Sequence, residues 1–185
     1  MLLPHALTRL PAWREAWAGT GRFVLLLDFD GTLSPIVAHP EEAGIPVATR
    51  RALERLRGAK GLEMAVVSGR GMADARARVG LGDIAYAGNH GMEIEGPGMK
   101  RIHQEAADAR PVLEAVARRL EAEIGAIDGV LVEDKELTLS IHYRRAPREL
   151  VDGIRARVRT AASEQADLRV TEGKELLEVR PDVDW

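Results

Sequence analysis

Apolar and polar positions along the first half of the chain follow an order that predicts strands separated by helices. Continuous apolar runs at Phe23–Leu27, Leu62–Val67 and Ile84–Ala87 are typical of strands in a parallel sheet, and we expect the first to be a central strand covered on both faces. Between these runs, Val47–Arg57 and Met72–Val79 carry apolar residues at helical spacing, and each ends before a glycine. This alternation predicts a parallel α/β sheet with right-handed crossovers.

The pattern changes after the turn-rich segment Gly96-Pro97-Gly98, where we place a domain boundary. Beyond it the sequence predicts a helix at about residues 106–124, strands at 130–133 and 138–143, a helix at 147–163, and strands at 168–171 and 176–179. Two strands, a helix and two further strands form a module of the α+β type. At the other end of the chain, Leu7–Trp17 has the periodicity of a short amphipathic helix, which belongs to an N-terminal extension over residues 1–21.

The charge balance narrows the range of partners. The 26 Lys and Arg residues nearly balance the 29 Asp and Glu residues, so the net charge of −3 provides no extended basic surface for a phosphate backbone. Aromatic residues make up only 4% of the chain, which leaves few rings for stacking on bases. We expect no nucleic-acid partner, whereas small anionic metabolites remain candidates.

The cellular setting is indicated by the absence of cysteine and by the N-terminal sequence. Without cysteine the fold needs no oxidising compartment, and it has neither a thiolate nucleophile nor a cysteine-based zinc site. Prolines and charged residues interrupt the N-terminus before a signal peptide can form, and no apolar stretch is long enough to cross a bilayer. We expect a cytoplasmic protein with no membrane partner, as a monomer or weak oligomer.

The most informative segment is Leu25-Leu26-Leu27-Asp28-Phe29-Asp30-Gly31-Thr32-Leu33, in which two carboxylates lie two residues apart at the end of a strand. Open α/β sheets bind their ligands at this edge. Asp28 can attack phosphorus and form an acyl phosphate, while Asp30 can protonate the leaving oxygen and deprotonate the attacking water. Gly31 permits a tight turn whose amides face an anion, and Thr32 adds a hydroxyl donor. The alternative is a strand-end turn in which the aspartates act only as caps.

Two carboxylates beside a phosphate require a cation between them. A hard divalent ion such as Mg²⁺ prefers oxygen ligands, which the Asp28 carboxylate and the Asp30 carbonyl can supply. We therefore expect Asp28 and Asp30 to bind a metal and Mg²⁺ to be the cofactor.

The second predicted strand ends in Val66-Val67-Ser68-Gly69-Arg70, which reaches the same edge of the sheet. A hydroxyl, a flexible backbone and a guanidinium group make Ser68, Gly69 and Arg70 candidate phosphate ligands. Alternatively, Ser68 caps the helix that follows, and the two roles are compatible.

Taken together, Asp28-Phe29-Asp30-Gly31-Thr32 and Ser68, each after an apolar strand, resemble the first two signature motifs of the haloacid dehalogenase (HAD) phosphatases. A longer series over about residues 22–181 resembles the trehalose-6-phosphate phosphatase family. Its segments are Asp30-Gly31-Thr32-Leu33-Ser34-Pro35-Ile36, Val67-Ser68-Gly69-Arg70, Gly88-Asn89-His90-Gly91, Val132-Glu133-Asp134-Lys135, Ile141-His142-Tyr143-Arg144, and Gly173-Lys174 through Glu178-Val179-Arg180-Pro181.

This resemblance implies a Rossmann-like HAD core with a parallel sheet over residues 22–97, incomplete at its C-terminal side, and a smaller α+β cap domain over residues 98–181. Residues 182–185 would begin the return to the core. In that family a lysine motif and an acidic Gly-Asp-Asp segment follow the cap, and this sequence contains neither, since Lys174 precedes the last cap strand. We therefore expect a truncated or partly recorded chain whose core sheet exposes apolar edges.

The resemblance also implies roles for core residues. Asp28 corresponds to the nucleophile, Asp30 to the acid and base, and Ser68 to the residue that contacts the phosphoryl group. His90 follows the third predicted strand and can reach the site, although a simple turn residue fits that position equally well.

In the cap, the resemblance implies that Glu133, Lys135 and Glu178 bind the sugar. Carboxylates that accept hydrogen bonds and an ammonium group that donates them suit a ligand with many hydroxyls. Without the resemblance, a solvated strand face would be the preferred interpretation of these three residues. We expect His142 and Tyr143 to support the cap sheet rather than to touch substrate.

Three functional hypotheses follow. The first is a Mg²⁺-dependent phosphatase that converts trehalose 6-phosphate to trehalose by way of an aspartyl phosphate. The second is a phosphatase for another small-molecule sugar phosphate, such as sucrose phosphate or a mannosyl phosphoglycerate. The third is a sugar-phosphate binding module without catalysis, because the later family motifs are absent.

Overall fold

The computed structural model describes residues 5–183, which form two β-sheets with helices packed on them. The strands are β1 (Phe23–Asp28), β2 (Leu62–Val67), β3 (Ala85–Gly88), β4 (Glu93–Gly96), β5 (Met99–Ile102), β6 (Leu131–Asp134), β7 (Leu139–His142), β8 (Leu168–Gly173) and β9 (Leu176–Pro181). The α-helices are α1 (Leu10–Thr20), α2 (Val47–Arg57), α3 (Met72–Val79), α4 (Gln104–Asp108), α5 (Arg110–Ile124) and α6 (Val151–Ser163). We call β1 to β5 the core sheet and β6 to β9 the cap sheet.

The core sheet has the strand order β1-β2-β3-β4-β5. Strands β1, β2 and β3 run parallel, and Asp28 lies opposite Val67 where β1 and β2 end. Helices α2 and α3 make the crossovers between these strands, as expected for consecutive βαβ units. The predicted α/β unit with a parallel sheet is therefore confirmed.

Only one face of β1 is covered. Leu25 and Leu27 pack against a buried cluster that includes Phe29, whereas the side chains of Val24 and Leu26 are 60% and 65% exposed. Within residues 5–183, β1 is one of the two edge strands of its sheet. The expectation of a central strand covered on both faces is wrong, because an apolar run does not distinguish one covered face from two. The expectation of exposed apolar surface on this sheet is confirmed.

Strands β4 and β5 form an antiparallel hairpin that the sequence did not predict. The turn around Pro97 lies at its tip, and its first strand pairs with β3. Charged residues hide the strand pattern, since Glu95 lies opposite Lys100 and also forms an ion pair with Arg76 of α3. The core sheet therefore continues past Pro97 to Ile102, and the division of the chain into domains stays a prediction.

The cap sheet is antiparallel, with the strand order β6-β7-β9-β8. Helices α5 and α6 supply apolar residues to a cluster shared with this sheet, in which Leu120, Ile141, Ile154 and Leu177 are fully buried. The order β6, β7, α6, β8, β9 matches the predicted module of two strands, a helix and two strands.

The helix predicted at residues 106–124 is divided into α4 and α5 at Ala109. Pro111 occupies the first turn of α5, where its missing N–H group is tolerated, but it could not donate a hydrogen bond within a continuous helix.

After β9 the chain returns toward the hairpin of the core sheet, because Val183 is buried with Met92, Ala106 and Leu137. The rest of the expected return segment, residues 184–185, and the first four residues of the N-terminal extension lie outside the described residues. In the part of the chain that is described, no helix combines the length and the apolar character needed to cross a membrane.

Candidate active site

A cleft of about 650 Å³ lies between the carboxyl ends of the core strands and one face of the cap sheet. This size is within the range typical of small-molecule sites. Of the residues predicted from the sequence, the cleft is lined by Asp30, Gly69, Arg70, His90, Lys135 and Glu178. Asp28, Thr32, Ser68 and Glu133 do not line it. Ser68 directly precedes Gly69, and Glu133 contacts His142, which is also a lining residue.

Asp28 and Asp30 are held by the strand end and by the turn that follows it. Asp28 is the last residue of β1, and its side chain is exposed. Gly31 has a φ of +85°, a left-handed conformation that favours glycine. Its N–H donates to the carbonyl of Ser34 at 2.8 Å, which closes a tight turn that also contains the exposed Thr32. The turn brings the Asp30 side chain to the cleft.

Ser68 follows β2 and is buried. Its hydroxyl oxygen accepts a hydrogen bond from the Arg70 N–H at 3.1 Å, and its carbonyl accepts one from the His90 N–H at 3.1 Å. These bonds fix the turn, but Ser68 does not cap α3, because the N-cap of that helix is Gly71 and it receives no side-chain hydrogen bond. Contact between Ser68 and a phosphoryl group stays a prediction. A Cβ atom at Gly69 would lie 2.5 Å from the His90 ring, so a side chain at this position would force that ring to move.

Arg70 does not point freely into the cleft. Its Nε and Nη2 atoms donate to the two carboxylate oxygens of Asp30 at 2.9 and 2.8 Å, and its Nη1 atom donates to Asp74 at 2.8 Å. Burial alone would lower the pKa of Arg70, but the hydrogen bonds to Asp30 and Asp74 raise it above the ordinary value. The guanidinium group therefore stays charged and committed to two carboxylates.

The core and the cap meet at Lys135 and Glu178. The Lys135 ammonium donates to the carbonyl of Gly69 at 3.2 Å, and it lies 3.6 Å from Glu178. The His90 Nε2 atom lies 3.1 Å from the carboxylate of Glu178. Burial alone would raise the pKa of Glu178, but the hydrogen bond with His90 and the positive charges of His90 and Lys135 lower it. This cluster joins residues that the sequence predicted separately.

Glu133 belongs to a second pair on the cap sheet. The Nε2 atom of His142 lies 2.9 Å from the Glu133 carboxylate. Burial alone would raise the pKa of Glu133, but this hydrogen bond and the charge of Lys135 lower it. His142 lines the cleft, as does Ser140 two residues earlier on β7. Side chains alternate along a strand, so Ser140 and His142 lie on the same face of β7. The expectation that His142 supports the cap sheet rather than touching substrate stays a prediction.

Asn89 was not predicted as a site residue, yet it links the two sheets. It is fully buried, and its amide nitrogen donates to Glu93 at 2.7 Å and to the carbonyl of Lys135 at 2.9 Å. Its amide oxygen accepts a hydrogen bond from the Thr138 hydroxyl at 3.0 Å. Asn89 and His90 both have positive φ, at 47° and 57°, a conformation that asparagine tolerates better than most residues.

The oxygen donors at the end of β1 fit part of a magnesium site. Mg²⁺ keeps several waters and is commonly bound by one or two carboxylates together with substrate phosphate, so the Asp28 carboxylate and the Asp30 carbonyl are a suitable beginning. Residues 5–183 contain no group of three or more His, Cys, Asp or Glu side chains arranged to hold a metal. The donor set from this chain is therefore small and consists of oxygen atoms.

The bridge through Asn89 predicts a measurable effect of Thr138→Val. Valine has a similar shape but removes the hydroxyl that donates to the buried Asn89 oxygen. We expect the free energy of unfolding to fall by about 1–3 kcal/mol, because a buried acceptor loses its partner. Chemical denaturation measures this change. Thr160→Val, at an exposed position of α6, is the matched control, and an equal loss in both variants would contradict the bridge.

The lowered pKa of Glu178 predicts a pH dependence. The charged carboxylate stabilises the fold above the ordinary value of 4.5, and this contribution is lost as the pH falls through the lower value of the folded protein. The wild type should therefore exceed Glu178→Gln in unfolding free energy by the largest margin near neutral pH, and the margin should shrink below about pH 4.5. Denaturation curves from pH 7 to pH 3 test this, and a constant margin would count against it.

Comparison with known proteins places this arrangement in a family. A family model described as Trehalose-phosphatase matches residues 26–185. Trehalose-phosphate phosphatase from Mycolicibacterium paratuberculosis is 45% identical over 184 residues, which are 99% of this chain and 46% of that protein. The protein of the same name from Mycobacterium tuberculosis is 46% identical over 162 residues, which are 87% of this chain and 41% of that protein. The chain thus spans less than half the length of these relatives.

Solved structures agree with the fold. The C-terminal domain of Candida albicans trehalose-6-phosphate phosphatase superposes with a TM-score of 0.75 at 26% identity, covering 93% of this chain and 61% of that one. A trehalose-6-phosphate phosphatase related protein has a TM-score of 0.78 at 21% identity, covering 86% and 68%, and supports the fold alone. The expected HAD-type core with an α+β cap is confirmed. The chain belongs to the trehalose-phosphatase family.

Proposed function

We propose that the protein to which this chain belongs hydrolyses trehalose 6-phosphate to trehalose and phosphate, through an aspartyl phosphate formed on Asp28. One observation carries the proposal: a single cleft is bounded by Asp30 on the core side and by Lys135 and Glu178 on the cap side. The proposed acid and base, Asp30, therefore faces the same space as Lys135 and Glu178, which can form hydrogen bonds with sugar hydroxyls. The relatives named trehalose-phosphate phosphatase support this choice of substrate.

The chemical step begins at the end of β1. The exposed Asp28 carboxylate attacks the phosphorus atom, so that a bond from its oxygen to phosphorus forms while the bond to the sugar oxygen breaks. Asp30 gives a proton to the departing sugar oxygen and later removes one from the water that hydrolyses the acyl phosphate. When Mg²⁺ is bound by the Asp28 carboxylate and the Asp30 carbonyl, it offsets the repulsion between carboxylate and phosphate.

Binding of the sugar falls to the cap sheet. Lys135 and Glu178 line the cleft and offer one donor and one acceptor for hydroxyl groups. Glu133, which contacts the lining residue His142, offers a second acceptor beside the cleft, and His90 reaches Glu178 from the core side. The lowered pKa values of Glu133 and Glu178 keep both groups as acceptors at neutral pH. Closing the cap over the sugar would exclude water from the phosphoryl transfer. Location in the cytoplasm and a monomeric or weakly oligomeric state stay predictions.

Phosphate release by the full-length gene product tests the proposal. With Mg²⁺ we expect the highest kcat/KM for trehalose 6-phosphate among a panel that includes sucrose phosphate and a mannosyl phosphoglycerate, and loss of turnover in excess EDTA. Asp28→Asn should lower kcat by at least about a thousandfold, because the amide cannot serve as the nucleophile. Asp128→Asn, at an exposed position between α5 and β6, is the matched control.

The outcomes separate the hypotheses. A clear preference for another sugar phosphate would replace the substrate but keep the chemistry. Undiminished turnover of Asp28→Asn would remove Asp28 from the nucleophile role. Calorimetric binding of trehalose 6-phosphate to the 185-residue chain, together with a full-length protein that releases no phosphate, would favour a binding module without catalysis.

A further inference from the structure

The surroundings of Arg70 differ from those of a phosphate-binding arginine. An arginine side chain has five N–H donors. Its Nε donates to Asp30 at 2.9 Å, its Nη1 donates to Asp74 at 2.8 Å, and its Nη2 donates to Asp30 at 2.8 Å and to the carbonyl of Pro40 at 3.2 Å. These contacts occupy four of the five donors, so little hydrogen-bonding capacity is left for a phosphate.

The charge of Arg70 is also already balanced. Two carboxylates, Asp30 and Asp74, lie within hydrogen-bonding distance of its guanidinium group, and Asp74 is shared with Arg78 at 2.7 Å. One face of the guanidinium group packs 5.0 Å from the centre of the Phe29 ring. A phosphate that approached Arg70 would have to displace a carboxylate from a site that is closed on several sides.

Arg70 and Asp30 differ in how much of each side chain is exposed to solvent. The Arg70 side chain is only 9% exposed, whereas that of Asp30 is 45% exposed, and Asp30 lines the cleft. A carboxylate has about four lone-pair positions, of which the guanidinium group uses two. The remaining positions of Asp30 are free to face a reacting group while the plane of the carboxylate stays fixed from behind.

We propose that Arg70 is a positioning residue that holds the Asp30 carboxylate at the cleft, and that Asp74 anchors Arg70 from the other side. This inference rests on the proposed function for the role of Asp30 as acid and base. It replaces the prediction that Arg70 binds phosphate. A two-pronged contact sets both the position and the rotation of the carboxylate, which a single point charge cannot do.

The test separates positioning from phosphate binding with two constants, measured on the full-length protein with Mg²⁺. One is kcat, and the other is the inhibition constant of inorganic phosphate, which reports phosphate affinity without chemistry. In Arg70→Gln we expect kcat to fall by roughly a hundredfold, because a small misplacement of a catalytic group is this costly. The inhibition constant should stay within about threefold. Arg70→Lys should lose kcat similarly, because lysine cannot make the two-pronged contact.

Two further variants make the comparison sharper. Asp74→Asn keeps Arg70 and its contact with Asp30, and it should lower kcat by about three- to tenfold with an unchanged inhibition constant, since the anchor is weakened. It also keeps the proposal testable if the Arg70 variants do not fold. Arg76→Gln is the matched control, because this arginine on α3 pairs with Glu95 and does not line the cleft. It should change neither constant.

The opposite pattern would overturn the proposal. An inhibition constant raised tenfold or more in Arg70→Gln and restored in Arg70→Lys would make Arg70 a phosphate ligand, and an unchanged kcat in Asp74→Asn would remove the anchor. If another phosphate ester is hydrolysed instead of trehalose 6-phosphate, the substrate proposal fails and the same comparison is made with that ester. If no ester is hydrolysed, the crystal structure of Arg70→Gln decides, with a displaced Asp30 carboxylate in support and an unmoved one against.

Discussion

The guanidinium group of Arg70 reaches from the turn after β2 to both carboxylate oxygens of Asp30 in the turn after β1. The contact is possible because β1 and β2 run parallel and end together, with Asp28 opposite Val67. It ties together the ends of β1 and β2, where the candidate nucleophile, the candidate acid and base, and the turn at Ser68 lie. A shift of β1 or β2 by one residue would separate Arg70 from Asp30, because side chains alternate between the faces of a sheet.

A second set of contacts joins the cap sheet to this edge. Asn89 donates a hydrogen bond to the carbonyl of Lys135 and accepts one from the Thr138 hydroxyl. The cluster of His90, Lys135 and Glu178 also joins the two sheets. Buried polar groups are costly unless they are paired, and here each sheet supplies partners for the other. The same pairing lowers the pKa of Glu178 and keeps it an acceptor where a sugar hydroxyl would bind.

Much of the fold follows from local patterns. The apolar runs, the helical spacings and the order of elements predicted the parallel unit and the cap module, because these signals depend on neighbours along the chain. The hairpin of β4 and β5 escaped prediction because Glu95 and Lys100 break the apolar alternation and find partners across strands. Exposed apolar edges of the core sheet were expected, but which strand forms an edge could not be predicted, since that depends on which elements lie next to the strand in space.

The candidate active site likewise contains features that could be predicted from the sequence and features that could not. The aspartates at the end of β1 and the turn at Ser68 were predicted from the sequence, because a strand end fixes where they lie. The contact between Arg70 and Asp30 was not predicted, since it joins residues that are 40 positions apart in the sequence. Asn89 and His142 were missed as site residues for a similar reason, because their contacts with Thr138 and Glu133 exist only in the folded chain.

The central claim is that the carboxylate at the end of β1 accepts the phosphoryl group. Rapid quenching of the full-length protein during turnover, reduction of the acyl phosphate and tandem mass spectrometry of the resulting peptides test it most directly. The account predicts that the modification is found on Asp28. Modification at a different residue, or turnover with no modified peptide at any quench time, would contradict it.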